Sequence, residues 1–112
     1  ERVHALSLAA GELFEKLEYR NVRVIVSDGT LGLPEQSPYD SIIVTAAAPE
    51  VPECYLEQLK DNGRLVIPVG SRYSQVLYQI RKTSSGLIRT ASTPCVFVPL
   101  IGEKGWEDTD VY

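Results

Sequence analysis

Apolar residues at Val3, Leu6, Ala10, Leu13 and Leu17 recur at spacings of three and four. That rhythm lays one stripe along a helix over residues 2–17. Leu8 and Phe14 widen the stripe, so the helix is expected to pack on a sheet face. Glu18-Tyr19-Arg20-Asn21 ends it. Val22 to Val26 is then a β-branched run bounded by Asn21 and by Ser27-Asp28-Gly29, the pattern of a buried strand. Gly29, Gly32 and Pro34 mark a loop. A second short apolar strand is expected at Ser41-Ile42-Ile43-Val44-Thr45, and a third at Arg64 to Val69. Between them, Ala46 to Pro52 reads as a loop and Pro52 to Leu59 as a short helix. Its first turn holds Pro52 and Glu53, whose fixed φ and negative charge suit a helix amino terminus. Asn62-Gly63 is expected to close it as a C-cap.

Beyond residue 70 the character changes. Gln75 to Arg81, Leu87 to Thr90 and Cys95 to Leu100 read as further strands, with Thr83-Ser84-Ser85-Gly86 as a turn, so this end is expected to be antiparallel. Helix, strand, loop, strand, helix, strand and a closing hairpin make an α/β pattern with a parallel core. Ligands of such sheets bind beyond the carboxyl ends of the parallel strands. The residues that follow those strands are therefore the candidates.

The chain has 112 residues, enough for one domain, and its 44% hydrophobic and 23% charged content is ordinary globular usage. A net charge of −4 without any Lys/Arg cluster disfavours a nucleic-acid surface. No apolar run approaches the ~20 residues of a bilayer span, so no membrane association is expected. Glu1-Arg2-Val3-His4 has neither an initiator Met nor a signal-peptide core. An internal start within a longer protein is the expectation. Cys54 and Cys95 lack metal-type spacing and read as reduced thiols of a cytoplasmic protein.

Several residues admit two readings. Asp28-Gly29 is either a plain turn, as this pair commonly is, or a ligand contact after a strand. Thr45-Ala46-Ala47-Ala48-Pro49 has small side chains that suit close ligand approach or tight packing alike. Glu1 taken alone is a frayed terminal carboxylate. His4, the only histidine, has no nucleophile or second ligand nearby and reads as a surface histidine. There is no glycine-rich phosphate loop and no Cys/His metal spacing. Glu103 to Asp110 reads as an acidic, solvated tail that Trp106 docks onto the domain.

Residues 21–35, Asn21 to Glu35, closely resemble a segment of the protein-L-isoaspartate (D-aspartate) O-methyltransferase family. So do Ser37-Pro38-Tyr39-Asp40-Ser41-Ile42-Ile43-Val44-Thr45-Ala46-Ala47-Ala48-Pro49 and Val51-Pro52. Gln58-Leu59, Gly63 to Gly70, Gln75, Phe97-Val98-Pro99-Leu100-Ile101-Gly102 and Gly105-Trp106 continue in the family's order. The resemblance runs from Glu1 to Trp106. It departs at Ser27, where the family usually has glycine, and it lacks the glycine-rich cofactor loop and the upstream segment with the catalytic serine.

The resemblance implies a Rossmann-like class I methyltransferase fold, here a partial doubly wound sheet with parallel strands and a C-terminal antiparallel hairpin. Residues 1–112 would be the carboxyl-terminal part of one such domain. The implied cofactor is S-adenosyl-L-methionine, leaving as S-adenosyl-L-homocysteine. The implied reaction methylates the free α-carboxylate of L-isoaspartyl residues in damaged peptides and proteins. By this likeness Glu1 accepts from the ribose hydroxyls, Asp28 and Gly29 contact the adenine side, and Thr45 and Ala46 line the cofactor cleft. Ala47, Val98, Pro99 and Leu100 would face the substrate. Gln75 would support an active-site polar network, and no metal is implied.

The family orders its parallel strands 3-2-1-4-5, with Val22 to Val26 as the third and Ser41 to Thr45 as the fourth. The first and second are absent from this sequence. The expectation is a fragment inactive alone, poorly stable, or paired with its missing half or a second copy. Two alternatives are a non-catalytic α/β binding module on the same scaffold, mildly favoured by Ser27, and a different small-molecule methyltransferase. The latter leaves Val98-Pro99-Leu100 unexplained.

Overall fold

The computed structural model describes residues 1–108. The last two residues of the predicted acidic tail, Thr109 and Asp110, lie outside them. Helix α1 (His4–Lys16) comes first, followed by an extended stretch and two 3-10 turns, Gly29–Leu31 and Pro34–Gln36. Strand β1 (Tyr39–Ile43), helix α2 (Glu53–Glu57) and strands β2 (Leu59–Gly70), β3 (Gln75–Thr83) and β4 (Gly86–Cys95) complete the chain.

The strands form one mixed sheet in the order β1-β2-β3-β4. β1 and β2 run parallel with Ile42 opposite Leu65, whereas β2/β3 and β3/β4 are antiparallel. This is the α/β arrangement with a parallel pair and a closing hairpin that the sequence predicts. Alternation along β2 sends Leu65 and Ile67 to one face, where both have no exposure. Val44, Ala48, Tyr55, Leu59 and Ile80 close around them as the core.

Helix α2 is shorter than expected. It ends at Glu57, and Lys82 Nζ from β3 donates to Leu56 O and Leu59 O, both at 2.9 Å, so a side chain from another element satisfies its last turn. Asn62-Gly63 is not its C-cap. The pair lies inside β2, where Lys60 to Gly63 are looped out between the partners of Tyr39 and Ser41. Asn62 takes φ +66°, and a Cβ on Gly63 would sit 2.8 Å from Lys60 O and 2.9 Å from Asp40 O. Glycine is required there by close backbone approach.

The predicted strand at Cys95–Leu100 is also corrected. β4 runs to Cys95, and within the rest of the predicted strand only Pro99 bridges, in parallel, to Ala47. Pro94 and Pro99 have no N–H, and the Phe97 N–H is taken by the Gln75 side chain, so no ladder can continue.

The largest differences are at the amino-terminal end. Val22 to Val26 is extended but belongs to no sheet. Among the described residues its backbone meets only Glu1: the Glu1 amino group donates to Ile25 O at 3.1 Å, and Ser27 N donates to Glu1 O at 3.3 Å. Those two bonds, one on either side of Val26, are the first rung of a parallel pairing. The stripe of α1 is uncovered as well: Leu6, Leu13 and Leu17 are each more than half exposed, and Ser7 is the buried residue of the helix. The expected packing of α1 on a sheet face is absent because no sheet lies beside it among the described residues.

Burial separates the two ends energetically. Leu65→Ala is expected to destabilise by about 2–5 kcal/mol, the range for a fully buried leucine. Leu13→Ala, on the uncovered stripe, is expected to change stability by under about 0.5 kcal/mol. Urea unfolding followed by circular dichroism reads both.

Candidate functional site

An open cavity of about 810 Å³ separates the Glu1 and Val22–Val26 strip from β1. Glu1, Ser27 and Gly29 line one side. Ser41 to Val44 of the β1 edge, with Thr45 and Ala46, line the other, and Val98 to Ile101 also contribute. The cavity runs along both extended segments, from Arg23 and Ile25 on one side and Tyr39 and Ser41 on the other to Gly29, Thr45 and Ala46, and only this last part falls at the usual ligand position of an α/β sheet.

Glu1 turns one carboxylate oxygen back to accept from Val3 N at 2.9 Å, at the amino end of α1. Gly29 has open space where a side chain would be, so a flat ligand can approach its backbone. Asp28 behaves differently from its neighbours and is not part of the cavity lining. Its Oδ1 accepts from Thr30 N at 2.9 Å and Thr30 Oγ1 at 2.6 Å, and its Oδ2 accepts from Glu103 N at 2.9 Å. Thr30 Oγ1 in turn accepts from Lys104 N at 3.0 Å. Asp28 and the fully buried Thr30 therefore tie the loop after the first extended segment to the carboxyl-terminal turn. Gly102 is needed at that contact, because a Cβ there would collide with the Asp28 carboxylate. Burial raises the Asp28 pKa, but the hydrogen bonds from Glu103, Thr30 Oγ1 and Thr30 N, with the nearby Arg2 charge, outweigh it and hold the carboxyl below its usual range.

The same loop is gripped from α2. Tyr55 Oη donates to Gly29 O at 2.7 Å, Cys54 Sγ to Thr30 O at 3.3 Å, and Gln58 Nε2 to Leu31 O at 3.1 Å. Gln58 Oε1 accepts from Leu33 N at 2.9 Å, and Tyr39 Oη donates to Leu33 O at 2.6 Å. Burial pushes the Tyr55 hydroxyl up to about 12, so it remains a donor at all physiological pH values. Burial likewise raises the Cys54 thiol.

Thr45 and Ala46 line the cavity, as do Val98, Pro99 and Leu100. Ala47 does not: it is wholly buried and acts through its backbone. Its N–H donates to Val98 O at 2.7 Å, and its carbonyl accepts from Leu100 N at 2.8 Å and Trp106 Nε1 at 3.1 Å. The close packing permitted by small residues is the reading that fits there, and Trp106 docks as the sequence suggests. Gln75 is also buried and away from the cavity. It donates through Nε2 to Ser71 O at 2.6 Å and accepts from Phe97 N at 2.7 Å, fixing the backbone that leads into Val98. His4 begins α1 and is exposed. Thr30 and Gln58 fall in segments that resemble the family but carry no assigned role, and Tyr55 is not singled out by the sequence. Thr30 is masked as a loop residue, and only tertiary contacts bring the other two to the loop.

These features define an α/β domain with an open cavity beside its parallel strand pair. The profile of the family described as protein-L-isoaspartate(D-aspartate) O-methyltransferase (PCMT) matches residues 1–105, and the chain belongs to that family. A protein-L-isoaspartate O-methyltransferase of Hyperthermus butylicus is 50% identical over 110 residues, covering 96% of this chain and 46% of the relative. That of Methanopyrus kandleri is 49% identical, covering 98% of this chain and 50% of the relative. This chain therefore spans about half the length of these relatives. A solved protein-L-isoaspartate O-methyltransferase structure superposes with a TM-score of 0.85 at 32% identity, covering 94% of this chain and 34% of the other. A putative protein-L-isoaspartate O-methyltransferase from Plasmodium falciparum, in complex with S-adenosyl-L-homocysteine, gives 0.76 at 31% identity, covering 90% and 50%. The fold is accordingly part of the Rossmann-like methyltransferase architecture.

The Asp28 tie has a pH signature. A carboxyl held below its ordinary value of about 3.9 contributes stability that is complete above that value and lost as pH falls through the folded-state value. Asp28→Asn is expected to lower the melting temperature at pH 6, and the gap from the unsubstituted chain should narrow as pH falls through the carboxyl's lowered folded-state value. Fluorescence of Trp106, the only tryptophan, follows the melts.

Proposed function

We propose that this chain is the carboxyl-terminal part of a single S-adenosylmethionine-dependent domain that methylates the free α-carboxylate of L-isoaspartyl residues in damaged proteins. On this reading the 112 residues are inactive alone. The observation that carries it is the open cavity between Val22–Val26 and β1, two segments that the family separates by two further strands. The Glu1–Val26 rung supports it too, because Glu1 is then the last residue of the strand that pairs with Val22–Val26.

The residues present suit the cofactor. Glu1 supplies a carboxylate beside the cavity, and a carboxylate accepts from two adjacent ribose hydroxyls. Gly29 leaves room at its backbone, and Ser27 and Gly29 form the adenine-side wall. Thr45 and Ala46 face the same cavity from the β1 side. When bound, the cofactor supplies a methyl group on a sulfonium, already activated for transfer. The protein's part would then be orientation, with Val98, Pro99 and Leu100 holding the peptide's carboxylate toward that group. Such positioning supplies on the order of 7–11 kcal/mol of a barrier. Ala47, Gln75 and Asp28 act behind this surface by fixing the segments that form it. The catalytic serine of the family falls outside these residues. On this reading the methyl ester would close to a succinimide as the backbone nitrogen attacks the ester carbonyl and methanol leaves, and water would reopen the ring in part as normal aspartate.

Partners follow from this reading: isoaspartyl peptides as substrate, and the amino-terminal half, or a second copy, against the uncovered α1 stripe and the β1 edge. No nucleic-acid partner and a cytoplasmic location are part of the same proposal. Among the described residues, no helix is long and apolar enough to cross a membrane. Ser27 favours a second reading, a binding module without catalysis.

Intact mass spectrometry followed by calorimetric titration with S-adenosylhomocysteine separates these. The 12.4 kDa chain is expected to show no binding and no methyl transfer to an isoaspartyl peptide. The chain completed with the amino-terminal half of the Methanopyrus kandleri relative is expected to show both. Binding without transfer supports the binding module, and no binding by the completed protein refutes the reading.

A further inference from the structure

The Gly29–Leu33 loop has little regular structure of its own, yet its polar backbone groups are matched one after another by side chains from outside it. Gln58 is the centre of that arrangement. Its carboxamide donates to Leu31 O and accepts from Leu33 N, standing in for a strand neighbour on both sides of Gly32. Gly32 has φ +66°, and a Cβ there would collide with the Gln58 side chain, so the loop is folded directly onto it. Gln58 itself has nowhere else to go. Its N–H donates to Cys54 O at 3.0 Å, its carbonyl accepts from Tyr39 N at 2.7 Å, and Lys82 secures the carbonyls of Leu56 and Leu59 around it. All four polar groups of this residue, which is only 7% exposed, are used.

We propose that Gln58 is a positioning residue for the ligand-facing loop: through Leu31 and Leu33 it sets the backbone that presents Ser27 and Gly29 to the cavity. The proposal rests on the reading of that wall as the adenine side. Gln58 lines the cavity beside Gly32 and Leu33, but both groups of its carboxamide are spent on the loop, on Leu31 O and Leu33 N. It acts through the loop, so losing it should weaken cofactor binding and leave peptide binding through Val98 to Leu100 in place.

Gln58→Met keeps the volume and removes both bonds. Gln58→Glu keeps the acceptor for Leu33 N but, when ionised, sets a carboxylate against Leu31 O. The test uses the completed protein described above, with S-adenosylhomocysteine titrations and KM values for S-adenosylmethionine and for an isoaspartyl peptide. Gln58→Met is expected to weaken S-adenosylhomocysteine binding roughly tenfold, the size of one or two lost hydrogen bonds, with the peptide KM within about twofold. Gln58→Glu is expected to bind as weakly at pH 7.5 and to regain affinity toward pH 5, as a protonated carboxyl can again donate to Leu31 O. Unchanged affinity in both variants would overturn the proposal, and so would an equal rise in both KM values or a Gln58→Glu defect that ignores pH. If the unsubstituted completed protein binds no S-adenosylhomocysteine, the reading of the wall fails instead.

Discussion

A strand's backbone must find hydrogen-bond partners, and most features of this chain follow from where that need is met and where it is not. β2 has a neighbour on each side and carries the most buried side chains, Leu65 and Ile67. β1 has a neighbour on one side only. Val22–Val26 has only the single rung to Glu1 among the described residues. The gradient of burial follows the gradient of pairing: a closed core around β2, an uncovered β1 edge, and an α1 stripe left exposed. The cavity occupies the place where pairing stops.

That constraint explains why the loops around the cavity are held by side chains. The loop after Val26 cannot borrow order from an adjacent sheet. Tyr55, Cys54 and Gln58 bind it from α2, and Asp28 with Thr30 binds it to the carboxyl-terminal turn. On the opposite side, Ala47 and Gln75 hold the segment that ends in Leu100. Each is a small network with its members satisfied, which favours one arrangement over many. The cavity walls are thus defined by groups that mostly do not line it.

Much of this was legible in the sequence, for identifiable reasons. The short apolar runs at Ser41–Thr45 and Arg64–Val69 announce β1 and β2, and the change of character beyond residue 70 announces the antiparallel strands. The α1 stripe also predicts its helix correctly, but a stripe reports the surface a helix needs, not whether that surface is supplied. Asn62-Gly63 was misread because the pair serves equally as a helix stop and as a looped-out strand segment, and only the register with β1 decides between them. Within the site, Glu1, Gly29, Thr45, Ala46 and Val98 to Leu100 line the cavity as the family likeness suggests. Asp28 and Ala47 do not line the cavity, a matter of side-chain direction that spacing does not encode, and Gln75 is buried behind it, bonded to Ser71 O and Phe97 N. Tyr55 and Gln58 gave no local signal, since their partners lie 26, 27 and 25 positions away.

The account turns on Val22–Val26 being a strand without its neighbours. Amide hydrogen exchange over these five residues, in the chain alone and after addition of an amino-terminal half from a relative, tests this most directly. The account predicts fast exchange in the isolated monomer and strong protection in the completed protein. Strong protection in the isolated monomer would contradict it, because the pairing would then be made within these residues and the cavity would not be the seat of missing strands.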